Sequence, residues 1–310
     1  MSAEQLSGRS SGRVPSPRPT SQVRGVRRAI SGNDSLPAPA VVRRVGVRQA
    51  ERAIEDLTPL ELDIIGTLAH TRLAAGRQLQ RLHFESSLSG QRQARRVLAR
   101  LVERRVLARL GRNIGGRRAG SAGFVYSLEV IGQRFVHPDG QWRRPWTPGQ
   151  AFVAHAVAVT ECYVQLVEGQ RSRRWRLQDF QAEPVCWRSF IGPRGRHQVL
   201  KPDAYARIEL DGYEDRWFLE IDRGTEDLGR IQRKARTYVQ YWQVGRETVF
   251  PRVLWVTVRP ARQAAVVRAL AALPAESWQL FQVCLDAQLA ATVAAWAGDL
   301  TPKPDSQEGR

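Results

Sequence analysis

The chain has 310 residues and a formal net charge of +18, carried almost wholly by arginine. An excess of that size calls for a polyanionic partner, most simply nucleic acid, and the length allows two domains. No run of about 18 consecutive apolar residues is present, so no membrane span is expected, and the first residues lack the apolar core of a signal peptide. Cys162, Cys186 and Cys284 lie far apart without metal-type spacing, as expected of reduced, buried thiols in a cytoplasmic protein.

Residues 1–50 are rich in Ser, Pro, Gly and Arg, with nine arginines against Glu4 and Asp34. Without sustained periodicity they read as a disordered basic tail, either a DNA-contacting arm or a solubilising extension. Residues 51–135 read as a first domain. Thr58-Pro59 supplies an N-cap and a first-turn proline, and Leu60, Ile64, Ile65 and Leu68 form the stripe of a helix running to about His70. A short helix follows over about 75–82. Ser89 is expected to cap a third helix running to about Arg104, with Ala94, Val97, Leu98, Leu101 and Val102 inward and Gln91, Arg92, Arg95, Arg96 and Arg100 largely outside. Two strands, 106–110 and 124–128, flank a Gly/Arg-rich loop carrying Arg112, Asn113, Arg117 and Arg118. Three helices and a basic hairpin in this order are those of a winged helix-turn-helix. The third helix would enter the major groove of double-stranded DNA, and Arg117 and Arg118 on the wing would reach phosphate or minor groove. The competing reading is a helical interaction domain whose charges only solvate a face.

Residues 136–150, with three prolines and two glycines, read as a linker, and 151–298 as a second domain. It opens with an apolar helix to about Glu168, in which Val153, Val157 and Val164 share a face with Glu161. That glutamate either serves a site or reaches solvent; His155 reads as an ordinary helix residue. Short strands are expected between 171 and 199. The strand 252–258, helix 261–273 and strand 279–285 form a parallel crossover, which makes the sheet mixed. A helix over about 286–296 and a polar tail at 299–310 complete the chain.

The most informative stretch is 201–242. Asp211-Gly212 is a hairpin turn, and residues whose numbers sum to about 423 face each other across it. Asp203 then lies opposite Glu220, with Asp222 nearby on the same face. Buried carboxylates so close repel unless a cation joins them, and a divalent metal with oxygen ligands is one remedy. Thr225 is expected to cap the following helix, in which Ile231, Lys234, Ala235, Tyr238 and Trp242 share one face. Lys234 is one of only three lysines among 48 basic residues and points with the apolar stripe. The metal-free alternative is a salt-bridged hairpin with Lys234 on Glu220 or Asp222.

Pro202-Asp203 and Glu220 resemble the first two motifs of the PD-(D/E)XK nuclease superfamily. Asp222 stands where that pattern has its lysine, and Lys234 is the candidate for a lysine moved to the next helix. More narrowly, the run Leu219–Glu226 with Lys234 and Tyr238 resembles the replication-relaxation family of plasmid and mobile-element proteins. The resemblance implies a two-domain α+β and α/β architecture, a winged helix-turn-helix followed by a PD-(D/E)XK nuclease-like mixed sheet flanked by helices. It also implies Mg²⁺ or Mn²⁺ on Asp203 and Glu220, with Glu161 or Asp222 as further ligands and Lys234 beside the scissile phosphate. The expected action is DNA nicking or relaxation at an origin, with a second copy of the chain or other replication and transfer proteins as further partners. A non-catalytic winged-helix accessory or transcriptional regulator on an inactive nuclease scaffold is the alternative, and a toxin-like or defence nuclease a weaker third.

Overall fold

A computed structural model describes residues 46–110, 123–137, 148–172, 175–210 and 212–299. The wing-loop residues Arg112, Asn113, Arg117 and Arg118, most of the tail 1–50 and most of the linker 136–150 lie outside these. The described residues belong to one compact unit, 45–310.

The first helix, α1 (Val47–Glu55), occupies a stretch expected to be partly tail. It forms because Ala50, Ala53 and Ile54 recur at helical spacing and join the core of the N-terminal segment. Thr58 caps α2 (Pro59–Thr71) in a reciprocal capping box with Glu61. A two-residue strand, β1 (Ala74–Ala75), leads to α3 (Gly76–His83), and α4 (Leu88–Glu103) follows. The cap of α4 is Ser87 and not Ser89: the Ser87 hydroxyl accepts from the Gly90 amide, while Ser89 bonds the Ser87 side chain. The strands β2 (Leu107–Leu110) and β3 (Val125–Leu128) pair antiparallel, with β1 on the other side of β3 in the order β1-β3-β2. Helix α5 (Val130–Val136) closes this segment over the same core.

Helix α6 (Gln150–Ser172) is long and apolar enough to match a membrane span by length and composition, although no such span was expected. It packs instead as a core helix with apolar contacts on two sides. Val159, Cys162 and Leu166 meet the main sheet, while Val153 and Ala156 meet Leu73 and Val125 of the N-terminal segment. The sheet is built from β4 (Trp175–Ala182), β7 (Ala204–Leu210), β8 (Tyr213–Asp222), β9 (Arg252–Thr257) and β10 (Phe281–Leu285), in the order β10-β9-β8-β7-β4. It is mixed, as expected: β8, β9 and β10 run parallel, β4 and β7 antiparallel. A separate hairpin, β5 (Arg188–Ile191) and β6 (His197–Leu200), lies beside α7 (Leu228–Val244). Helix α8 (Pro260–Ala271) links β9 to β10, and α9 (Leu289–Asp299) packs beside α6.

The alternation of β8 divides the core. Trp217, Leu219 and Ile221 face α6 and α9; Phe218 faces α7 and α8 with Tyr238, Tyr241 and Trp255. Each of these large side chains, removed from water, contributes about 1.5–3 kcal/mol. The β7–β8 register pairs Ala204 with Leu219 and Leu210 with Tyr213, which is the register expected from the turn. Gly212 has φ +83°, a left-handed conformation that glycine adopts without a Cβ clash.

Candidate functional site

Asp203 precedes β7 and Glu220 lies near the end of β8, so the antiparallel register sets them side by side. The Asp203 amide donates to the Leu219 carbonyl at 3.1 Å. Its carboxylate Oδ2 accepts from the Ile221 amide at 2.7 Å, which aims Oδ1 into an open cleft. The second turn of α7 brings Lys234 to the same point. Its Nζ lies 3.3 Å from Asp203 Oδ1 and contacts Glu220 Oε2. The other Glu220 oxygen accepts from the buried Tyr238 hydroxyl at 2.5 Å. Each of the four carboxylate oxygens thus has a protein donor.

Burial pushes the Asp203 carboxyl up, but the Lys234 ammonium, the nearby His155 and the Ile221 amide outweigh it and bring it down to about 2. Glu220 goes the other way. Burial raises it, Asp203 raises it further, and Lys234 with Tyr238 only partly offset this, leaving it at about 8. One ammonium cannot neutralise two neighbouring carboxylates; Asp203, with more donors, takes the negative charge. Burial lowers Lys234, but Glu220 and Asp203 outweigh this, so it stays charged.

His155 completes the group, with Nε2 3.6 Å from Asp203 Oδ1. The neighbouring Asp203 carboxylate raises the His155 pKa against the lowering effect of burial. The sequence reading left His155 as an ordinary helix residue. The overlooked signal is that His155, Val159, Cys162 and Leu166 form a helical stripe, and the last three meet the sheet.

Two other candidate ligands are engaged elsewhere. Asp222 lines the cleft but is held by the Arg262 guanidinium at 2.6 and 3.2 Å, while Gly224 N–H donates to it at 2.7 Å. Arg262 also donates to the Glu226 carbonyl at 2.6 Å. This turn, with Gly224 at φ +78°, delays the start of α7, so its N-cap is Asp227 and not Thr225. Glu161 faces away from the cleft. It accepts from Gln78 at 2.8 Å and Arg81 at 2.5 Å, and Arg81 also grips Glu168 at 2.5 Å. These contacts join α6 to α3, a role the sequence reading missed.

The cleft holds about 680 Å³ and is lined by His155, Asp203, Glu220 and Lys234, with Phe152, Trp187, Lys201, Arg223, Arg230 and Arg233 around them. No group of three or more His, Cys, Asp or Glu is placed to hold one metal ion among the described residues. Mg²⁺, however, is commonly held by one or two carboxylates, with waters and substrate phosphate completing its shell. Asp203 and Glu220 turn hard oxygens onto one position, which the Lys234 ammonium occupies; carboxylate oxygens are the donor type that suits Mg²⁺ or Mn²⁺.

On α4, Gln91, Arg92, Arg95 and Arg96 are exposed. Arg100 is also solvent-accessible but clamps fully buried Glu61 at 2.9 and 3.1 Å. No curated protein matches the chain. The family model described as Replication-relaxation matches residues 65–253, more than half of the sequence, a span that includes His155, Asp203, Glu220 and Lys234 but not Arg262. The chain belongs to the replication-relaxation family.

Proposed function

We propose that this protein binds DNA in the replication or transfer of a plasmid or other mobile element and nicks it in the cleft at Asp203, Glu220 and Lys234. The observation that carries the reading is the convergence of two carboxylates and one lysine, from the residue before β7, from β8 and from α7, at the mouth of a cleft with arginines around it. In this reading residues 46–137 are a winged helix and the mixed sheet with its helices is a PD-(D/E)XK-like core. The order β1-β3-β2 beside α2, α3 and α4 supports the first assignment. Gln91, Arg92, Arg95 and Arg96 would meet the major groove, while Arg100 supports the helix from beneath.

Asp203 and Glu220 would hold Mg²⁺ or Mn²⁺, which when bound polarises a phosphodiester and lowers the pKa of a coordinated water. Lys234 would leave the carboxylates and place its charge beside the phosphate. His155 would hold Asp203 in its present orientation. The experiment is nicking of supercoiled plasmid carrying the element's own origin or transfer region, with Mn²⁺, by the intact protein and by Asp203→Ala/Glu220→Ala. Nicking by the first and not the second supports the proposal; DNA binding without nicking by either overturns cleavage.

A second reading is favoured by one observation, the engagement of all four carboxylate oxygens by protein donors. Under it the cluster is a structural ion-pair network and the protein a non-catalytic replication accessory or regulator. Mn²⁺ calorimetry separates the two: heat abolished by the double variant favours the first, and no heat from folded wild type favours the second.

A further inference from the structure

Beside Lys234, the cleft contains side chains that the cleavage reading leaves unused. Arg230, Arg233 and Thr237 line it with Lys234. Their spacing of three, four and seven residues from Arg230 places them on one face of α7, over about 10 Å of helix. Arg223 joins them from the β8–α7 turn. The nearby acids are mostly engaged within the protein: Asp203 and Glu220 by Lys234, Asp222 by Arg262 and Glu226 by Arg230 at 3.2 Å. Arg223 and Arg233 have no acidic partner among the described residues, and Arg233 is exposed. They are therefore cations in search of an anion.

The lining also includes aromatic side chains. Phe152 comes from the first turn of α6 and Trp187 from the stretch before β5, and both are only half-buried. Lys201 Nζ sits 4.6 Å from the Trp187 ring centroid, leaving a cation beside the ring. The Phe152 ring is already covered by the Arg72 guanidinium, 5.0 Å from its centroid, so Trp187 is the ring left for a base. Arginines beside an accessible tryptophan in a single groove are the combination that holds an unpaired strand, with phosphates on the cations and a base stacked on the ring. A duplex offers phosphates but keeps its base faces stacked. The cleft volume also falls in the range of about 300–1,000 Å³ that encloses small ligands, a scale that suits a short run of nucleotides and not a duplex.

From these features we infer that the cleft binds an unpaired DNA strand, its phosphates along Arg223 and Arg233 and a base against Trp187. The inference rests on the DNA-binding part of the reading above and is independent of cleavage. Duplex recognition through α4 and strand capture in the cleft are then two separate activities of one chain.

The test uses the full chain and fluorescence anisotropy with labelled single-stranded and duplex oligonucleotides, at salt high enough to suppress non-specific electrostatic binding. Trp187→Ala is expected to weaken single-strand binding by about tenfold or more while duplex binding stays within about twofold. Trp187→Phe, which retains a ring, should restore most of the loss. Arg233→Glu, an exposed change, should weaken single-strand binding without lowering the melting temperature. A triple Arg92→Ala/Arg95→Ala/Arg96→Ala variant should show the opposite preference, losing duplex and keeping single strand. The inference is overturned if single-strand affinity is unmoved by Trp187→Ala and Arg233→Glu, if Trp187→Phe behaves like Trp187→Ala, or if duplex binds and single strand does not. Failure to bind either form overturns the DNA-binding reading itself.

Discussion

Lys234 Nζ lies 3.3 Å from Asp203 Oδ1, a pairing that spans 31 residues and joins the first residue before β7 to the second turn of α7. The same ammonium contacts Glu220, so one side chain holds a buried and a partly buried carboxylate together. Lys234→Met should cost about 3–5 kcal/mol, because both acids then lose their cation. Urea melts measure the loss. Millimolar Mn²⁺ should restore part of it by occupying the vacated position, and should restore none in Lys234→Met/Asp203→Asn. Equal melts with and without Mn²⁺ in Lys234→Met would count against a metal at these carboxylates.

The two acids of the cluster respond to pH in opposite senses. Glu220 is raised from 4.5 to about 8, so the fold favours its protonated form. Its contribution is present in full below about 4.5 and is lost as pH rises through about 8. Asp203 is lowered from 3.8 to about 2, and its contribution is present above about 3.8 and lost as pH falls towards 2. Wild type should therefore lose melting temperature relative to Glu220→Gln between pH 5 and 9. Parallel curves over that window would refute the assignment.

Asp222 is almost fully buried and depends on Arg262. Arg262→Leu should destabilise by about 3–5 kcal/mol by stranding that carboxylate. Adding Asp222→Asn should recover much of the loss, a coupling that a double-mutant cycle reads directly. If Asp222→Asn worsens Arg262→Leu instead, the aspartate is held by something other than this arginine.

Arg96 and Arg100 lie four residues apart on α4 but have different surroundings. Arg100→Ala leaves fully buried Glu61 without its closest cation and should cost about 1–3 kcal/mol. Arg96→Ala should change stability by less than about 0.5 kcal/mol. Its effect should appear in duplex binding, as a salt-dependence slope reduced by about one. Stability losses of equal size would mean that Arg96 also has a structural partner.

How far the sequence was legible depended on the range of the information needed. Local rules sufficed for the Thr58-Pro59 helix start, for the Gly212 turn and for the register that places Asp203 beside Glu220, because each is set by residues close in the chain. They also sufficed for Lys234, whose place on the buried face follows from the helical spacing of Ile231, Ala235 and Tyr238. Local rules misjudged the caps at Ser89 and Thr225, where two acceptors a few residues apart compete and the surrounding turn decides.

What the tertiary structure alone decided is which partner each remaining charge takes. Helix α6 is covered on two sides, so the stripe that meets the sheet competes with a second apolar face that meets the N-terminal segment. From sequence, Glu161 was a candidate ligand and His155 an ordinary helix residue; packing against α3 gave Glu161 to Arg81, and His155 lies beside Asp203. Arg262, 40 residues beyond Asp222, was beyond any local rule. Amino-acid order determines which charges become buried, since periodicity records burial; only the crossing of distant elements determines which opposite charge meets them, since that contact has no period to read.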